Sequence, residues 1–254
     1  MQHFDGSGFL RNLLLTITYD GRAFHGWQIQ QNAFTVQEAF QNALTKIIGD
    51  GFEIKGCSRT DSGVHANMYC VSLRTSHPIP PERLKGALNR WLPLSVAVLG
   101  CREADLDFHA RYSCKSKEYV YKIWNSEVRN PFLEGYALHY RYKLDENLLN
   151  KAAQAYVGAH DFTSFCTQDS RETGDLTRNV KAFSVRREGE MVLMTVEADG
   201  FLYNMVRIMV GTLLRIQQGK IPPDGIPYII EKKNRQFAGP TAPACGLYLN
   251  KVNY

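Results

Sequence analysis

Two hydrophobic periods, cut apart by glycine and proline, constrain this chain more than any other feature. Leu13 to Tyr19 alternates and is β-branched in part, which predicts a strand. Val36, Ala39, Phe40, Ala43, Leu44, Ile47 and Ile48 then recur at helical spacing. Thr35 precedes them, Glu38 completes a capping box, and Gly49 supplies the stop. Strand-like runs follow at Phe52 to Lys55 and Tyr69 to Leu73. Pro80-Pro81 opens a second helix with Leu84, Ala87, Leu88 and Trp91 on one face, and Val96 to Cys101 predicts a further strand. The order is β-α-β-β-α-β, the split βαβ plan of ferredoxin-like folds.

The second half repeats that plan roughly. Strands are predicted at Tyr119 to Trp124 and, shorter, at Gly135 to Tyr140. Asp145 caps a helix carrying Leu148, Leu149, Ala152, Ala153, Tyr156 and Val157, ended by Gly158. Asn179 to Arg187 and Met191 to Ala198 predict a hairpin around Glu188-Gly189. A helix from Tyr203 to Gln218, closed by Gly219 and Pro222, and a last strand from Leu247 to Val252 complete the half. The repeat is architectural, without convincing sequence identity. The expected fold is therefore α+β: two ferredoxin-like βαββαβ halves, residues 1–108 and 109–254, with mostly antiparallel sheets meeting at a central cleft. Met1 to Phe9 is expected to be a loose end.

Composition removes several classes. At 254 residues, 44% hydrophobic and 22% charged, the chain is an ordinary globular protein, which argues against disorder or a collagen-like rod. Lys and Arg outnumber Asp and Glu by 30 to 25, a balance that permits a polyanionic partner. The six cysteines show no C-x-x-C spacing and the histidines no H-x-x-x-H spacing, so zinc is not expected and the thiols are read as reduced, in a cytoplasmic protein. No charged-then-apolar signal pattern opens the chain. The most apolar helical run, Met205 to Ile216, is too short to span a membrane and is interrupted by Arg207 and Arg215.

The chemistry concentrates in Gly56-Cys57-Ser58-Arg59-Thr60-Asp61-Ser62-Gly63-Val64-His65-Ala66, between two strand-like runs. Small residues let the backbone turn sharply and let a large partner approach. Asp61 is the only acid in this loop and Arg59 lies two positions away. A pair between them would favour the carboxylate anion, and an ionised carboxylate can act as a nucleophile. For an arbitrary R-T-D the plainer reading is a solvated turn with a weak local ion pair.

This string resembles the catalytic motif of the TruA family of tRNA pseudouridine synthases, usually written G-R-T-D-A-G-V-H-A. The family's aspartate falls on Asp61; Ser58 stands where the family usually has Gly, and Ser62 where it usually has Ala. The resemblance implies an isomerase that breaks the N1–C1′ bond of a uridine, turns the base and rejoins it through C5. That chemistry needs no cofactor, which agrees with the absence of a Walker loop or a complete G-x-G-x-x-G. It also implies a target in the anticodon stem-loop of tRNA, and a homodimer.

Further segments resemble the family in the same order. Lys117-Glu118-Tyr119-Val120-Tyr121-Lys122 matches the strand bearing its active-site tyrosine, which places Tyr119 against the extruded base with its hydroxyl near the C5 proton. Base extrusion is needed because the target atoms are inaccessible in a stacked helix. Phe201 to Gly211 matches another motif, in which Arg207 is a charge amid apolar residues and the implied partner of Asp61. Ala242 to Leu249 matches the C-terminal signature, with Leu247 as the apolar floor under the base. Arg59 is implied to fill the space the base leaves. Tyr19-Asp20-Gly21 to Gly26-Trp27-Gln28, Phe108 to Arg111 and Gly158 to Phe162 match without supplying derivable chemistry. Arg22, Arg111, Lys115 and Lys117 are candidate phosphate contacts, and His65 is a loop-shaping hydrogen bonder rather than a base. The rival readings are a related synthase acting on another RNA and a non-catalytic RNA-binding protein.

Overall fold

The computed structural model describes residues 10–167 and 174–254. The loose end expected at Met1 to Phe9 lies outside the described residues. The fold is α+β, and the chain divides into two compact units, Met1–Cys114 with Tyr254, and Lys115–Asn253.

The first unit contains β1 (Arg11–Tyr19), α1 (Val36–Ile48), β2 (Glu53–Gly56), β3 (His65–Thr75), α2 (Pro81–Trp91) and β4 (Val96–Ala104). Its strands run in the order β4-β1-β3-β2, every pair antiparallel. Leu13 faces Leu73 and Leu15 faces Val71 across the β1–β3 register. These four side chains, with Ile17, Phe40, Leu44, Leu84 and Leu88, are fully buried and form the core. At full burial each aliphatic or aromatic member contributes on the order of 1.5–3 kcal/mol. The Thr35 hydroxyl accepts from the Glu38 N–H at 3.2 Å, so α1 starts where the capping pattern places it. The Asn89 amide fastens α2 to β4, donating to the Val98 carbonyl at 2.9 Å and accepting from its N–H at 2.7 Å.

The second unit contains β5 (Ser116–Trp124), β6 (Leu138–His139), α3 (Glu146–Ala153), β7 (Gly158–Asp161), β8 (Thr177–Glu188), β9 (Met191–Ala198), α4 (Met205–Gln217), α5 (Ile226–Lys232) and β10 (Leu247–Asn253). Its order is β10-β5-β9-β8-β7, antiparallel throughout, with β6 parallel to β5. The helix α4 is buried along nearly its whole length, Ile208, Met209, Val210 and Leu213 completely. Gly211 lets the segment 239–242 lie directly on it, since a β-carbon there would collide with the Pro240 carbonyl. The Gly239 N–H donates to the Thr212 hydroxyl at 2.8 Å, which donates in turn to the Ile208 carbonyl at 2.8 Å.

Three elements of this unit differ from expectation. The strand expected from Gly135 to Tyr140 shrinks to Leu138–His139, because the Tyr136 and Ala137 N–H groups both bond the Leu133 carbonyl in a turn. The helix expected to end at Gly158 ends at Ala153 and tightens into a single 3-10 turn over Gln154–Tyr156. Gly158, at φ +114°, opens β7 instead. The helix α5 is unannounced, being seven residues long with a proline in its first turn.

None of the six cysteines, all among the described residues, is joined in a disulfide. Burial, helped by the nearby Glu103 carboxylate, pushes the Cys101 thiol up to about 11. Among the described residues no helix is long and apolar enough to cross a membrane.

Candidate active site

In the first unit the site is a loop gripped from several sides. The chain leaves β2 at Gly56 and returns as β3 at His65, and residues 57–64 make the turn. The loop after β1 lies against it. Gly21 abuts the Val64 carbonyl and Gly26, at φ +81°, abuts the Thr60 carbonyl, each so closely that a β-carbon would collide. The Trp27 N–H donates to the Thr60 carbonyl at 3.2 Å and the Gly63 N–H to the Phe24 carbonyl at 3.3 Å. Beneath, the Tyr19 and Thr60 hydroxyls are bonded at 2.8 Å, and the Tyr69 hydroxyl donates to the Ser58 carbonyl. The Tyr69 ring stacks on Trp27 with centroids 4.3 Å apart.

Thr60 is thus buried and pinned by main chain and side chain, while Asp61 beside it is half-exposed. His65 is buried, and its Nδ1 accepts from the Gly21 N–H at 3.1 Å. A nitrogen that accepts there has no proton for the Asp20 carboxylate 3.3 Å away, so the contact with Gly21 defines its role as a loop clasp.

Tyr119, Leu247 and Arg207 lie in the second unit. Tyr119 pairs with Leu249 and Tyr121 with Leu247 across the β5–β10 register, so these four side chains share one face of the sheet. All four are buried. Phe201 meets the Tyr119 ring edge to face, centroids 5.1 Å apart and planes at 87°. The Tyr121 hydroxyl donates to the Pro243 carbonyl at 2.8 Å, and burial raises its pKa strongly, so it is a fixed donor. Gly246 lies against the Tyr121 ring, which leads the chain into Leu247.

Arg207 sits in the first turn of α4, half-buried. Its Nε donates to the Ala242 carbonyl at 2.7 Å and its Nη1 to the Asn204 side-chain carbonyl at 2.7 Å. Asn204, the residue before the helix, holds a left-handed conformation at φ 62°, which is uncommon outside glycine. The guanidinium is therefore aimed by two fixed acceptors.

The remaining candidates are more dispersed. Arg59 is exposed, and no ion pair joins it to Asp61 among the described residues. Arg22 is folded onto its own loop, its Nε 3.0 Å and Nη2 2.6 Å from the Asp20 carboxylate. Arg111 is exposed, with its guanidinium 6.0 Å from the Tyr112 ring centroid. Lys115 is also exposed, and Lys117 half-exposed. Sequence reasoning missed Trp27, Tyr69, Phe201 and Asn204 as positioning residues. Only Trp27 and Asn204 stood inside quoted motifs with a polar group to place. No cluster of three or more His, Cys, Asp or Glu side chains suited to a metal occurs among the described residues.

The first unit holds one acid rigidly beside a small-residue turn. The second holds the Tyr119 ring on an apolar sheet face and, on α4, a guanidinium aimed by two acceptors. The family model for tRNA pseudouridine synthases matches residues 15–113 and 152–254. The chain belongs to the tRNA pseudouridine synthase family. It is 44% identical to tRNA pseudouridine synthase A of Acetivibrio thermocellus over 96% of this chain and 100% of that protein. It is 42% identical to the synthase of the same name from Thermoanaerobacter pseudethanolicus, with the same coverage. Asp61, Arg59, Arg207 and Leu247 fall within the matched segments, whereas Tyr119 lies between them.

Proposed function

We propose that this chain isomerises uridine to pseudouridine in tRNA with Asp61 as the nucleophile. The carboxylate adds to the bound uridine, the N1–C1′ bond breaks, the base turns, and C5 joins C1′ as the bond to the carboxylate is released; the C5 proton leaves and N1 takes up a proton. Atoms and electrons balance within the substrate, so no donor or oxidant is consumed. The observation that carries the reading is the clamp on Thr60, which fixes the backbone of Asp61 while leaving its side chain half-exposed. Preorganised charge of this kind supplies much of the rate enhancement in enzymes.

The other residues take roles that fit their surroundings. Tyr119 stacks on the base and its hydroxyl takes part in removing the C5 proton. Leu247 is the apolar floor, and Arg207 supplies positive charge to the reacting carboxylate. Arg59, exposed and without an ion pair, occupies the space the base vacates. Arg22 and Arg111 approach phosphates, Arg22 at the cost of its hold on Asp20. The strand orders β4-β1-β3-β2 and β10-β5-β9-β8 support reading the units as two βαββαβ repeats. We assign the target to the anticodon stem-loop and the protein to the cytoplasm.

We further infer a homodimer, which extends the surface available to grip a tRNA body. Exposed aromatics near the middle of the chain, Phe132 at 88% and Tyr142 at 65%, suit an interface. Sedimentation at micromolar concentration checks this. A fully active monomer would overturn the shared-substrate idea and leave the Asp61 chemistry standing.

The test of the activity is release of tritium from tRNA carrying 5-tritiated uridine. Pure protein should release it catalytically and leave pseudouridine in the anticodon arm. Tight tRNA binding without release would favour a non-catalytic RNA-binding protein.

A further inference from the structure

The second unit carries a cavity of about 440 Å³ that the proposed chemistry does not use. It lies between the last turn of α4 and residues 235–240, at the opposite end of the helix from Arg207. Arg215 follows Arg207 by two turns and a fraction, which places their backbones about 12 Å apart along the axis. Three cations line the cavity, Arg215, Lys220 and Arg235, and no acid does.

The partners of these cations are few. Arg215 donates only to the Gln218 side-chain carbonyl, at 3.3 Å. Arg235 donates to the Ala238 carbonyl at 3.5 Å and the Thr241 hydroxyl at 3.3 Å, both long. The Lys220 ammonium has no side-chain partner among the described residues, and none of the three joins an ion pair there. Arg235 is half-buried, and that burial lowers its pKa without any carboxylate acting on it. A helix C-terminus accounts for a cation in its last turn, as Arg215 is. It does not account for Lys220, beyond the helix, or for Arg235, on a separate segment. Three like charges around one concavity repel unless an anion sits among them. The wall also holds Phe237, 42% exposed, and the space exceeds what a bare oxyanion fills.

We propose that this cavity binds the phosphate group of a nucleotide, held by Arg215, Lys220 and Arg235 with the rest of the nucleotide against Phe237. The group belongs either to the tRNA backbone, in which case the inference rests on the functional reading above, or to a free mononucleotide. Guanidinium and ammonium groups are the residue types suited to phosphate, Arg through its planar fork and Lys as a point charge.

The experiment compares wild-type protein with Lys220→Gln and Arg235→Gln, using tRNA and uridine monophosphate as probes. The Lys220 side chain has no hydrogen bond or ion pair to lose among the described residues, so its variant is expected to fold even if Arg235→Gln loosens the segment 235–241. If the phosphate is in RNA, each variant weakens tRNA binding about three- to tenfold and makes the slope of log K against log salt shallower by about 0.7–0.9. If it is in a free nucleotide, calorimetry shows uridine monophosphate binding the wild type and not the variants, with tRNA affinity unchanged. Unchanged tRNA affinity and salt slope, with no variant-sensitive binding of the mononucleotide, overturns the proposal. Tritium release by the wild type is scored separately. Its failure removes the synthase reading, whereas wild-type-like variants in an active enzyme remove only this cavity.

Discussion

Gly26 presses so closely on the carbonyl oxygen of Thr60, the residue before Asp61, that a β-carbon there would collide with it. Gly26 also sits at φ +81°, where L side chains are strained. Gly26→Ala should therefore push residues 60–61 out of place. The expected cost is about 1–3 kcal/mol of stability and at least a tenfold loss of kcat, with tRNA affinity nearly kept. A thermal melt and single-turnover tritium release check both. A variant as fast as the wild type would mean that the loop after β1 does not position the acid.

Tyr119 offers a cleaner division of roles. The ring is held edge to face by Phe201 and backed by Leu249, so Tyr119→Phe preserves the packing and removes only the hydroxyl. It should bind tRNA normally and lose about 10²–10⁴-fold in the step that releases the C5 proton. Tyr119→Ala should lose both binding of the extruded base and turnover. A fast Phe variant beside a dead Ala variant would leave the tyrosine with stacking alone.

The parts of the fold legible in the sequence are those set by local pattern. Thr35 and Glu38 mark the start of α1, and Gly189 between alternating runs marks the β8–β9 hairpin. What was illegible depends on contacts distant in the chain. Gly21 and Gly26 were quoted as motif residues without a reason. The reason is the carbonyls of Val64 and Thr60, which no window around the glycines contains. Gly211 needs Pro240 in the same way. Arg22 reads as a free phosphate contact until the structure shows Asp20 already holding it. The short strand at Leu138–His139 was overdrawn because a carbonyl, Leu133, takes the donors that a longer strand needs, and periodicity does not report hydrogen-bond competition.

Arg207 tests whether aim matters as well as charge. Its guanidinium serves the Ala242 carbonyl and the Asn204 side chain together, in directions a single ammonium does not match. Arg207→Lys keeps the charge and abandons at least one acceptor. The expected cost is about 1–3 kcal/mol in stability, with kcat falling more than KM rises. Denaturant unfolding and steady-state kinetics on tRNA measure both. An unchanged kcat in a destabilised protein would make Arg207 a structural anchor of the segment 239–242 only.

The central claim is that the Asp61 carboxylate performs the chemistry, and Asp61→Asn tests it most directly. The substitution keeps the shape of the side chain and removes the anion. The measurement is multiple-turnover tritium release from 5-tritiated uridine tRNA by highly purified Asp61→Asn protein, beside filter binding of the same tRNA. The account predicts no turnover above background, with binding within a few-fold of the wild type. Sustained turnover by Asp61→Asn would contradict it and place the nucleophile elsewhere in the molecule.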